Sequence, residues 1–123
     1  MKKYVSIIAL LTFLSPSLVY ADHEDCEEAV KNGKEAYHLA KKAYNAKSFS
    51  KALSYAEKAE EAAEEAKEEA DECDCDKAEK DFDDAYKYAE RASEAHSQED
   101  LRKYAAKAMH EAKEGISYSQ HCR

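Results

Sequence analysis

Small and apolar residues recur along most of the chain at alternating steps of three and four. Ala52, Ala56, Ala59, Ala63, Ala66, Ala70 and Cys73 follow this spacing, and Leu101, Ala105, Ala108, Ala112, Gly115, Ser119 and Cys122 repeat it. Cys26, Ala29, Gly33, Ala36, Ala40 and Ala43 do the same, as do Cys75, Ala78, Phe82, Ala85, Ala89 and Ala92. A mean step of about 3.5 residues marks helices that bury a narrow seam against one another. Small seam residues let such helices approach closely. Val30, Tyr37, Tyr44, Phe49, Leu53, Tyr86, Tyr104, Met109 and Ile116 flank the seam and are expected to supply most of the buried area.

The pattern breaks at 45–50 and 95–100, where hairpin turns are needed. Ser97 with Asp100 has the spacing of a capping box, Asp25 with Glu28 is placed to cap the first helix, and Asp74 the third. These signals predict four helices of about 20–25 residues, each about 30–37 Å long. Short connections make neighbours antiparallel, so the expected fold is an all-α antiparallel four-helix bundle built from two tandem helical hairpins. Two stacked hairpins with a more open, solenoid-like twist are the alternative.

The first 21 residues read differently. Lys2 and Lys3 precede an apolar run over 5–14, Pro16 breaks it, and Val19-Tyr20-Ala21 places small residues before a cleavage point. This is the pattern of a cleaved signal peptide, too short to span a bilayer comfortably. His23-Glu24-Asp25 before Cys26 do not form a lipobox, so no lipid anchor is expected. The mature chain is then 22–123, a single helical domain, periplasmic or secreted, with no membrane span after cleavage.

Shifted by 49 residues, the chain falls on itself. Positions 26–73 and 75–122 share 16 identities in 48 without a gap, including Cys26 with Cys75, Tyr37 with Tyr86, Tyr55 with Tyr104, and Cys73 with Cys122. We read a tandem duplication, with repeat 1 at 25–73 and repeat 2 at 74–122. Four cysteines allow three pairings. Only Cys26–Cys73 with Cys75–Cys122 makes each repeat self-contained, and an antiparallel hairpin brings those ends together. Export to an oxidising compartment lets such disulfides persist. They matter because the mature chain has only eight Val, Leu, Ile, Phe and Met residues.

Composition narrows the function classes. The 123-residue chain has one Pro, which falls in the leader, and two Gly, too little turn punctuation for a many-stranded β fold. Its net charge is −8, and loss of the leader's two lysines makes it −10. That balance excludes a nucleic-acid partner of the usual kind, which needs clustered Lys and Arg. Residues 57–72 carry nine acids and two lysines. The segment could hold divalent cations loosely or dock a basic protein, although a solvated helix face with i,i+4 support is the plainer reading. The seven mature tyrosines are expected to be half-buried packing residues, and His38, His96 and His110 surface residues.

The cysteines admit a second chemistry. His23, Cys26, Cys73, Cys75, His121 and Cys122 would gather at one bundle end, where thiolate and imidazole suit Zn or Cu. Repeat symmetry already accounts for all four cysteines, so structural disulfides are the expectation and a metal cofactor the alternative. No nucleophile motif, phosphate-binding loop or zinc-protease helix occurs, and no catalysis is expected.

The run from Tyr44 through Phe49, Ala52 and Ala56 to Ala59 resembles the turn and second helix of a tetratricopeptide repeat, although the period here is 49 residues. Glu28-Ala-Val-Lys-Asn-Gly-Lys-Glu-Ala36, followed by Ser54-Tyr-Ala-Glu-Lys-Ala59, resembles the small metal-binding protein family. That resemblance implies an exported bacterial four-helix bundle; Asn32 and Tyr55 stand where the family tends to show histidine ligands. The expected protein is thus an exported, non-catalytic binding or structural module, with metal binding as the alternative.

Overall fold

Local hydrogen bonding decides where the small-residue seams begin and end as helices. The computed structural model describes residues 26–122. It contains α1 (Glu27–Asn45), α2 (Phe49–Glu72), α3 (Asp76–Ser93) and α4 (Gln98–Gln120). The hydroxyl of Ser48 accepts the Lys51 N–H at 3.2 Å to start α2, and Ser97 accepts the Asp100 N–H at 3.1 Å to start α4. The expected signal peptide and the Asp25 cap lie outside the described residues.

Asp74 does not cap α3. It sits in the left-handed region at φ 58°, and its N–H donates to the Asp71 carbonyl while the Cys75 N–H reaches back to Ala70. This pair of bonds is a Schellman closure of α2. The connection to α3 is so short that the chain must reverse through a left-handed residue, and Asp tolerates that conformation better than most. Cys75 takes the N-cap position of α3, and Cys26 that of α1, neither with a side-chain cap.

Sequential helices pack side by side, and α1 also packs along α4. The ring is therefore closed, a four-helix bundle rather than an open stack of hairpins. Ala36, Ala63, Ala85 and Ala112 cluster in one layer, one residue from each helix, and Ala40, Ala59, Ala89 and Ala108 in the next. The flanking residues from Val30 to Ile116 named above are all half-buried.

One layer breaks this uniformity. Phe82 is fully buried, and a Cβ built on Gly33 would lie 2.6 Å from its ring, one on Gly115 2.5 Å. The ring therefore occupies the space vacated by two absent methyl groups. At the far end Leu101 is the other large buried side chain, in a cluster with Ala43 and Ala52.

Candidate functional site

The disulfide end forms because α1 and α3 start where α2 and α4 finish. Cys26 bonds Cys73 and Cys75 bonds Cys122, with Cα–Cα distances of 5.6 and 5.9 Å. No cysteine is free. The sulfurs of Cys26, Cys75 and Cys122 nevertheless lie within 4.8 Å of one another, so the structure brings together all four cysteines of the sequence-derived cluster. His121 is exposed, with its Nδ1 2.9 Å from the Ser117 carbonyl oxygen of its own helix. His23 lies outside the described residues. With both bridges formed, this end offers no thiolate ligand.

The acidic segment of α2 presents Glu61, Glu64, Glu65, Glu68 and Glu72 to solvent. The i,i+4 ion pairs expected within it are absent among the described residues. Lys67 instead crosses to Asp83 on α3 at 3.1 Å, and Lys87 holds the other oxygen at 3.0 Å. Burial acts to raise the Asp83 pKa, but hydrogen bonds from Lys87 and Lys67 outweigh it and leave the carboxyl below its ordinary range. Glu69 is pushed up by burial and by neighbouring glutamates, Glu72 and Glu28 foremost.

A second carboxylate group was not singled out in the sequence. Asp81 and Asp84 on α3 and Glu111 on α4 bring oxygens within 4.8 Å of one another, all half-buried. Asp81 Oδ2 is shielded from solvent and has no hydrogen-bond partner among the described residues. Burial, then Glu114 and Asp84, raise the Asp81 pKa; burial, then Asp81 and Asp84, raise that of Glu111. The arrangement favours proton uptake. The 49-residue offset carried a signal for it, since Asn32 and Ala62 occupy the positions equivalent to Asp81 and Glu111.

The opposite end carries the reverse charge. An open groove of about 640 Å³ between α1 and α2 is lined by His38, Lys41, Lys42, Asn45, Ala46 and Tyr55. Lys42 Nζ stands 5.8 Å from the centroid of the Tyr55 ring, and the Arg102 guanidinium 4.9 Å from that of Tyr44. No acidic residue occurs between Ala36 and Ala56, and Lys41, Lys42, Lys47 and Lys51 make no ion pair among the described residues. At the equivalent of Lys41 and Asn45 the second repeat has Glu90 and Glu94. Equivalent positions of the two repeats thus differ in charge.

His38, His96 and His110 are exposed, as expected, and every described tyrosine is half-buried except Tyr118, which is 41% exposed. No described helix is long and apolar enough to cross a membrane. Comparison with protein-family models, curated proteins and solved structures finds no match to this chain.

Proposed function

We propose that this protein is an exported, non-catalytic module that works by presenting charged helical surfaces to a protein partner in the periplasm or extracellular space. One observation carries the reading: two disulfides clasp a closed bundle whose seam is filled mainly by alanine. Most of its charged side chains are therefore left on the outside. Disulfides persist in oxidising compartments, which supports export. Intact mass of the exported product should correspond to a chain starting at Asp22. The oxidised protein, immobilised and exposed to an envelope fraction, should retain a partner that high salt releases. Absence of any salt-sensitive partner counts against the module reading.

The grouping of the sulfurs within 4.8 Å favours one second reading, a Zn or Cu site. Thiolates are the ligating form, so this reading requires both bridges to be reduced first. Calorimetry with Zn, Cu and Ca on oxidised and reduced protein separates the readings. Heat with Zn or Cu only after reduction supports the thiolate site, heat with Ca in the oxidised state supports the acidic faces, and no heat in either state removes metal binding.

A further inference from the structure

Charge is segregated along the bundle axis. On the disulfide side of the Ala36, Ala63, Ala85 and Ala112 layer the described residues include sixteen acids and six bases. On the turn side there are eight acids and ten bases. The acidic end culminates in the α2–α3 connection, where Glu68, Asp71, Glu72, Asp74 and Asp76 are all exposed. The basic end culminates in the α1–α2 groove, with Lys41 and Lys42 on its wall and Lys47 and Lys51 on the neighbouring turn and helix.

We propose that the groove lined by His38, Lys41, Lys42 and Tyr55 receives the acidic α2–α3 connection of a second copy of this chain. The proposal rests on the module reading and names its partner. Two facts favour this occupant. The lysines make no ion pair among the described residues, and the surface of opposite charge lies at the other pole of the same molecule. Because donor and acceptor surfaces differ, the contact is heterologous and leaves one surface of each kind free on every pair, so further copies add head to tail, as an open chain or a closed ring.

The net charge of −10 left after loss of the leader opposes self-association, and salt decides the balance. At about 0.1 M ionic strength the Debye length is about 10 Å. A helix the length of α2 spans about 36 Å at 1.5 Å per residue. Repulsion between distant acidic ends is then screened, while a lysine meeting a carboxylate at the contact is screened less. At about 1 M salt, with a Debye length of about 3 Å, the contact is lost as well.

Sedimentation velocity on the oxidised mature protein tests this. At about 0.1 M salt the weight-average sedimentation coefficient should rise with concentration, and at about 1 M it should stay monomeric. Lys41→Glu with Lys42→Glu should weaken association by about ten-fold or more. Asp71→Lys with Glu72→Lys should do the same, and both doubly substituted proteins should keep the helical circular dichroism of the parent. An equimolar mixture of the two should associate again, because each then supplies the complement of the other. A parent that stays monomeric at every concentration and salt overturns the proposal. So does association unaffected by either pair of substitutions, or a mixture that stays monomeric. A monomeric parent that still retains a salt-sensitive envelope partner overturns only this inference and leaves the module reading in place.

Discussion

At Phe82 a phenyl ring and two missing methyl groups share one core layer. Gly33→Ala or Gly115→Ala would gain about 1 kcal/mol of helix propensity but force the ring to move, and overpacking costs about 1–3 kcal/mol. Phe82→Ala should cost about 3–5 kcal/mol through the cavity it leaves. Adding Gly33→Ala and Gly115→Ala to Phe82→Ala should recover about 2 kcal/mol by helix propensity alone. Urea unfolding of the four variants checks this reversal of sign. The carboxylates of Asp81 and Glu111 give a second residue-scale prediction. Their folded-state pKa values stand above the ordinary 3.8 and 4.5, so the ionised groups oppose folding at neutral pH. That penalty fades as pH falls through the raised values. Asp81→Asn and Glu111→Gln should therefore raise the urea midpoint at pH 7, with the gain shrinking as the pH falls into the carboxylate range. An undiminished gain in acid would argue against a charge effect.

Among the elements, the α2 terminus shows how a connection overrides a capping signal. Asp74 stands one residue before a helix and looks like an N-cap, yet its backbone is committed to the left-handed turn that ends α2. Asp74→Gly should stabilise the fold by about 0.5–1 kcal/mol, because glycine adopts that conformation without a Cβ clash. Asp74→Val should destabilise it, and thermal unfolding of the pair measures both. Loss of stability with glycine would mean that the Asp side chain contributes more than its backbone strain costs. The helix seams themselves were legible, since alanine at steps of three and four leaves one face able to approach a neighbour. Ser97 was legible as a cap for a similar reason: its hydroxyl needs only a local N–H. The crossing of Lys67 to Asp83 was not, because a partner on another helix leaves no trace in i,i+4 spacing.

For the molecule as a whole, stability depends on its two clasps. Each closes a loop with a sequence separation of 47, worth about 4 kcal/mol on the chain-entropy account. Domains of this size have about 5–15 kcal/mol in total. Replacing Cys26 and Cys73 together by Ser should lower the melting temperature substantially, and full reduction should lower it further, both followed by circular dichroism. An unchanged melting temperature on reduction would show that the alanine layers alone hold the bundle. The carboxylate group of Asp81, Asp84 and Glu111 and the groove of Lys41 and Lys42 belong to this scale too. Each is assembled from two helices, so the periodicity of one helix does not reveal it.

The sequence by itself determined the helices, the hairpin connections and the pairing of the cysteines. Periodicity is a property of one helix, and the matching offset between Cys26–Cys73 and Cys75–Cys122 is a property of the chain's own repetition. Only the tertiary structure decided that the ring closes through α1 and α4, that Phe82 fills the space above two glycines, and that the excess of acid gathers at the disulfide pole. Those outcomes depend on which faces of different helices meet. The seam is nearly all small residues, so its contacts are close and its layers are read only once the four helices stand together.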